Sequence, residues 1–89
     1  MTAEIKGIDC PKSQWTPVSI AKSRVLVMVR DVGAGRLVVG TAAPPAGAPA
    51  LDYLTLDQTR PISLQFDGVD TNVYVWPTSE ALVVEVVRE

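Results

Sequence analysis

The sequence predicts an all-β protein, a small antiparallel β-sandwich or barrel of six to seven strands with an extended N-terminal arm. Val, Ile and Thr, which fit pleated surfaces, account for 25 of the 89 residues. Seven prolines and six glycines divide the chain into short segments, a pattern typical of sandwiches and barrels. No apolar period of 3.6 residues is sustained for more than about one turn, so no long helix is predicted.

The N-terminal residues 1–14 are predicted to form the arm, and residues 15–89 to form one domain. Gly7, Asp9 and Pro11 disfavour regular structure within the arm. A chain of 89 residues has room for one small domain and no more.

The first half of the domain is predicted to contain three strands. Residues 15–20 form a short strand, which Pro17 confines to an edge or to a strand start. Residues 23–30 form a strand that is apolar on both faces. The turn at residues 31–35 is then expected to join it to a strand at 36–41 as a hairpin.

Residues 42–50 contain three prolines and no ionisable side chain. This composition predicts a loop, or an extended crossing that carries the chain from one sheet to the other. A further strand is predicted at residues 51–57.

The last three strands are predicted at residues 61–66, 71–76 and 81–88, joined by short turns as an antiparallel meander. Alternation assigns one set of side chains to each face. The side chains expected on one face are Ile62, Leu64 and Phe66 of the first strand, Val73 and Val75 of the second, and Leu82, Val84 and Val86 of the third.

The composition argues against an enzyme. There is no histidine, so no Ser-His-Asp or Cys-His arrangement can be built. The single cysteine, Cys10, has no partner for a disulfide within the chain and no basic neighbour to activate it, so it is interpreted as an inert thiol. No cofactor is predicted.

Two motifs resemble ligand-binding loops, and both are interpreted as turns. Gly33-Ala34-Gly35 lacks the third glycine and the following helix of a nucleotide-binding loop. Asp57, Asp67 and Asp70 lack the spacing of a calcium loop, and Asp67 precedes a glycine as in many turns. No metal site is predicted.

The charge pattern excludes two classes of partner. The net charge is −2 and the cations form no run, whereas proteins that bind nucleic acid carry a basic stripe. The longest apolar runs are far too short to span a bilayer, and the N-terminus does not resemble a signal peptide. The chain is therefore expected to stay in a cytoplasm or to be assembled there into something larger.

A domain this small buries little surface, and oligomerisation is one usual remedy. Five side chains are the candidate interface: Trp15, Tyr74, Trp76, Val83 and Val87. Trp and Tyr are enriched at interface hot spots, and the two valines remain on the second face of their strand. For Tyr74 and Trp76 the alternative is that they cover one end of the core.

Several short segments share a pattern of strands and turns with a known class of proteins. They are Asp67-Gly68, Asn72-Val73-Tyr74-Val75-Trp76, Ala81-Leu82-Val83-Val84-Glu85-Val86 with Glu89, and upstream Trp15-Thr16-Pro17-Val18 with the strand, turn and strand of residues 24–40. Over roughly residues 13–89, the chain resembles small virion proteins of tailed bacteriophages. These include head decoration (cement) proteins and fibre or tail accessory proteins.

The resemblance implies a structural subunit that decorates or stabilises a capsid. Its partners would be copies of itself, as a dimer or trimer, and the major capsid protein or another virion protein. It would be located in the virion after assembly in the host cytoplasm. The alternative is a carbohydrate- or receptor-binding β-module of a fibre or tail, with Trp15, Tyr74 and Trp76 as a stacking platform.

Overall fold

The computed structural model describes residues 3–30, 32–42, 44, 47, 52–78 and 80–89. These residues form eight β-strands and contain no helix. The strands are β1 (Glu4–Cys10), β2 (Thr16–Ser19), β3 (Arg24–Val29), β4 (Ala34–Gly40), β5 (Leu54–Asp57), β6 (Ile62–Gln65), β7 (Asn72–Pro77) and β8 (Leu82–Arg88).

The strands form two four-stranded sheets in which all neighbours are antiparallel. Sheet A has the order β1-β8-β3-β6, and sheet B has the order β2-β7-β4-β5. The buried apolar side chains of both sheets belong to one cluster between them. The predicted all-β sandwich is therefore confirmed.

The strand pairing is nested. β1 pairs with β8, β2 with β7, β3 with β6, and β4 with β5, as in one long hairpin whose tip lies between β4 and β5. The hairpin is rolled so that β3 also pairs with β8, and β4 with β7. Eight strands wound in this order over two sheets make a jelly roll.

Alternation along each strand produces the core. On β8 the buried residues are Leu82, Val84 and Val86, and on β3 and β7 valines again occupy every second position. Cross-strand valines pack well on a pleated surface because their branched side chains have few rotamers to lose. The inward faces predicted for the last three strands are confirmed by this cluster and by the partly buried side chains that pack against it.

The N-terminal segment does not extend away as an arm. Residues 4–10 form β1, which pairs with β8 along its full length, from Glu4 opposite Arg88 to Cys10 opposite Leu82. Cys10 is completely buried. The sandwich therefore begins at β1 rather than at residue 15, because pairing with β8 outweighs the weak strand preference of Gly7 and Asp9.

The predicted hairpin and the predicted meander are both wrong. β3 and β4 lie in different sheets, and so do β6 and β7, and β7 and β8. The glycine between β3 and β4 has another role: a Cβ on Gly33 would lie 2.6 Å from the Cδ1 atom of Leu82, and Gly33 has a φ of 152°. The chain passes close to β8 as it crosses between the sheets.

The proline-rich segment at residues 42–50 does not connect the two sheets, because β4 and β5 on either side of it are neighbours in sheet B. Of this segment the structure describes Ala42, Pro44 and Gly47, and the rest lies outside the described residues. The strand predicted at 51–57 is observed as Leu54–Asp57, and Leu51 lies outside the described residues.

Arg88 ties the two sheets together at one edge. Its Nε donates to Glu4 Oε1 at 2.7 Å, which joins β8 to β1. Its Nη1 donates to the Val18 carbonyl oxygen at 2.7 Å, which reaches β2 in sheet B. The hydrogen bond from Arg88 holds the pKa of the Glu4 carboxyl below its ordinary value.

Candidate interaction surfaces

The outer face of sheet B brings together three of the five predicted interface residues. Tyr74 and Trp76 alternate with the core residues of β7 and therefore point away from the core. Trp15 comes directly before β2 and packs against Trp76, with ring centroids 5.4 Å apart and an edge-to-face angle of 65°. This geometry favours aromatic pairs because the edge of one ring is positive and the face of the other is negative.

The polar groups of two of these rings, Trp15 and Tyr74, are held by hydrogen bonds. The Trp15 Nε1–H donates to the carbonyl oxygen of Gly47 at 3.2 Å. The Asn72 side-chain amide donates to the Tyr74 hydroxyl at 3.3 Å and accepts a hydrogen bond from the Ala21 backbone N–H. Tyr74 is only 6% exposed. Its burial agrees with the alternative interpretation, in which this side chain covers part of the domain instead of contacting a partner.

Two further residues belong to this face, and the sequence analysis missed them. Arg36 lies opposite Trp76 in the register of β4 and β7. Its guanidinium carbon is 4.6 Å from the centre of the Tyr53 ring, within the range of a cation–π interaction. We call the surface formed by Trp15, Arg36, Tyr53, Tyr74 and Trp76 the aromatic face.

All four Trp and Tyr residues of the chain thus lie on the aromatic face. Tyr53 could have been found from its spacing to Thr55, because residues two apart on a strand lie on the same face. Thr55 pairs with Arg36 in the neighbouring strand. That signal becomes useful only when the neighbour of β5 is known, because the two strands are separated by the proline-rich segment.

The other two predicted interface residues lie on the opposite side of the molecule. Val83 and Val87 are half-buried on the outer face of sheet A. Pairing places Val87 between Ile5 on β1 and Leu26 on β3, which makes an apolar row across three strands. Ile5 is 77% exposed.

We call this second surface the aliphatic face, and it comprises Ile5, Leu26, Met28, Val83 and Val87. Met28, in the next row, is 40% exposed. The predicted interface residues therefore form two separate surfaces, one on each sheet, rather than one site.

One ion pair borders the aliphatic face, and a second crosses it between Val83 and Val87. Arg24 Nη1 lies 3.4 Å from Glu89 Oε1, and Arg30 Nε lies 3.2 Å from Glu85 Oε2. The Arg30 guanidinium also lies over Gly7, where a Cβ would approach its Nη2 atom to 2.5 Å. Glycine at this position therefore leaves room for the arginine to lie flat across the sheet.

The sequence analysis also considered Cys10 as a reactive thiol and Asp57 as a metal ligand, and the structure shows what surrounds each of them. Burial raises the pKa of the Cys10 thiol to about 11, which keeps it protonated and unreactive at neutral pH. Asp57 accepts hydrogen bonds from the backbone N–H and hydroxyl of Thr59, which lower its pKa. Within the described part of the chain, no three His, Cys, Asp or Glu residues are grouped so as to hold a metal ion.

The described residues also include no helix that is long and apolar enough to cross a membrane. Comparison of the chain with models of protein families, with curated proteins and with solved structures finds no match in any of the three.

Proposed function

We propose that the chain is a non-enzymatic structural protein of a virus particle of the tailed-bacteriophage type, which binds the assembled shell through its aromatic face. The observation that carries the proposal is that three partly exposed rings, Trp15, Tyr53 and Trp76, lie together on one outer face with the buried Tyr74. Such side chains bring a large contact area at a low cost in conformational entropy, so they dominate protein interfaces.

The contacts that hold these side chains in fixed positions support binding to a protein surface. Trp15, Arg36 and Tyr74 already make hydrogen bonds or ring contacts within the domain. Side chains held in this way lose little freedom when a partner arrives, which raises affinity for a given contact area. The jelly roll is found in viral capsid proteins and in lectins, and this fold-level analogy is consistent with the proposal without carrying it.

The partners in this proposal are copies of the chain itself and the major capsid protein or another virion protein. The protein would act in the virion, after assembly in the host cytoplasm, and would need no cofactor, nucleic acid or membrane. Its mechanism is association, in which buried apolar area contributes about 25 cal/mol per Å² before the costs of ordering are subtracted.

The test is co-sedimentation with virus particles. Purified protein is mixed with particles of the source virus grown without this chain, and the bound amount is measured across a range of concentrations. Trp76→Ala is expected to weaken binding at least tenfold, as for a hot-spot residue. Val69→Ala, at an exposed position that is not part of this face, is the control and is expected to bind like the wild type.

Thermal unfolding of each variant shows that it is folded before binding is compared. Wild-type protein that fails to sediment with the particles would refute the proposal. Equal binding by Trp76→Ala and the wild type would refute the role of the aromatic face.

The second candidate is a carbohydrate- or receptor-binding module of a fibre or tail, and one observation favours it. Trp15, Trp76 and Tyr53 lie beside a cation, Arg36, on a single face. Aromatic rings with a few fixed polar groups are typical of small-ligand sites. A glycan array read together with tryptophan fluorescence separates the candidates, because a hit that quenches the wild type and is lost in Trp76→Ala supports the second one.

A further inference from the structure

The aliphatic face has an arrangement that suits contact with a copy of itself. Ile5, Val87 and Leu26 form a row across β1, β8 and β3, and Met28 and Val83 lie in the next two rows. The apolar row lies between two ion pairs, Arg24–Glu89 on one side and Arg30–Glu85 on the other, and an apolar centre with a polar rim is typical of a protein interface.

The charges around this face are nearly balanced. They comprise two arginines, Arg24 and Arg30, and three acids, Asp9, Glu85 and Glu89, and two ion pairs form among them. A face with a strong net charge would repel its own copy, whereas the near balance of charges on this one avoids such repulsion.

The register supplies the complementarity. β8 and β3 are adjacent, with Leu26 opposite Val87 and Arg24 opposite Glu89. A two-fold axis parallel to these strands and midway between them would place β8 over β3 of the second copy. Val87 would then meet Leu26 of the partner subunit, and Glu89 would meet Arg24 of the partner subunit.

We propose that the aliphatic face is the two-fold interface of a homodimer of this chain. The inference deepens the proposed function by assigning self-association to sheet A, and leaves the aromatic face on sheet B for the shell. In a two-fold interface each contact occurs twice, so the apolar centre is doubled and the Arg24–Glu89 pairs combine into a cluster of four alternating charges.

The area of the aliphatic face determines how tightly the dimer is expected to bind. The strands β1, β8, β3 and β6 of sheet A contain seven, seven, six and four residues. With a rise of about 3.3 Å per residue and a spacing of about 4.8 Å between strands, they cover a flat area of roughly 380 Å². This area on each copy is smaller than the ~800 Å² that each partner buries in a standard interface. The dimer is therefore expected to be weak, with a dissociation constant in the micromolar range.

Sedimentation equilibrium of the purified protein between about 1 μM and 1 mM, without any particle, tests the dimer. The wild type is expected to change from monomer to dimer within this range. Leu26→Glu places a charge in the apolar row and is expected to raise the dissociation constant at least tenfold. Val69→Glu adds the same charge at an exposed turn and is expected to leave the dissociation constant unchanged.

A charge exchange tests the geometry. Arg24→Glu alone is expected to weaken the dimer, and the double variant with Glu89→Arg is expected to restore it, because both copies regain their opposite charges. Amide NMR signals of the wild type on dilution give a readout that needs no variant: the shifts are expected on β3 and β8 and not on β4 or β7.

A protein that stays monomeric at 1 mM, or dilution shifts confined to sheet B, would overturn the inference. A monomer that still sediments with particles would leave the proposed function intact. A dimer that does not bind particles would refute the proposed function and leave the interface standing.

Discussion

The two outer faces of the sandwich differ sharply although the inner faces that they cover are alike. Sheet B presents aromatic rings fixed by hydrogen bonds and by a cation–π contact. Sheet A presents aliphatic side chains together with ion pairs, of which Arg30–Glu85 is about half exposed. Between them, the core of both sheets is almost entirely Val and Leu.

The difference shows that one set of alternate positions specifies the fold while the other set is free to specialise. Replacing inner side chains disrupts packing that both sheets share, whereas outer positions affect only the surface to which they belong. A chain of 89 residues can in this way offer two chemically distinct surfaces on opposite sides of one small core.

The comparison depends on β1 being a full member of sheet A, since Ile5 belongs to the aliphatic face. Cys10 reports on this strand. For an ordinary cysteine roughly a quarter of the thiol is ionised at pH 8, and for a pKa of about 11 roughly one part in a thousand is ionised. We expect Cys10 to react with Ellman's reagent at least 100-fold more slowly in the folded protein than in urea.

A small cysteine-containing peptide serves as the control, because it should react at the same rate with and without urea. Fast reaction of the folded protein would mean that β1 detaches from β8, and sheet A would then have a smaller face. Because folding raises the pKa of this thiol, its contribution to stability is complete below about pH 8.5 and is lost as the pH rises towards 11.

The distinction between inner and outer positions can be tested with two leucines. Leu37 is fully buried in the core, and Leu26 is half-buried on the aliphatic face. Leu37→Ala is expected to lower the free energy of unfolding by about 3 kcal/mol, through lost burial and the cavity left behind. Leu26→Ala at low micromolar concentration is expected to lower it by less than about 1 kcal/mol.

Urea titration monitored by circular dichroism gives both values. If the two variants lost similar amounts of unfolding free energy, the distinction between inner and outer positions would fail. The aliphatic face would then be part of a core that some other segment covers. A loss for Leu26→Ala that grows with protein concentration would sharpen the distinction, since the dimer then contributes to stability.

The smallest expected effects separate the two faces by their response to salt. A double-mutant cycle for Trp15 and Trp76 is expected to give a coupling of about 1 kcal/mol that persists in 1 M NaCl. The corresponding cycle for Arg30 and Glu85, both nearly half exposed, is expected to give about 0.5 kcal/mol or less, and to vanish in 1 M NaCl. Equal salt dependence in the two cycles would contradict the assignment.

Local pattern was sufficient to predict where most strands lie. β2, β3, β5, β6 and β8 fall within the predicted segments, whereas β4 begins two residues before its predicted segment and β7 ends one residue after its own. The alternation on β7 and β8 identified which side chains enter the core. Strand pairing was not predictable in this way, because it depends on contacts between residues far apart in the chain. The sequence of residues 31–35 looks like a hairpin turn. In the structure, however, glycine is required at position 33 because the chain passes so close to Leu82 that a Cβ would collide with it.

The candidate surfaces show the same limit. The sequence analysis selected Trp15, Tyr74, Trp76, Val83 and Val87, all of which lie on outer faces or beside them. Nothing local indicates that the first three belong to one sheet and the two valines to the other. Ile5 was missed because its strand is held by pairing with β8 and has little strand preference of its own.

The nested pairing also bears on how the protein is made. Every sheet pairing between the eight strands joins one of β1–β4 to one of β5–β8, and neither half pairs within itself. While the ribosome synthesises the first half, its valine-rich strands have no sheet partner and depend on contacts that form late. Only when residues beyond 54 have emerged can the first pair, β4 with β5, close and the earlier strands follow.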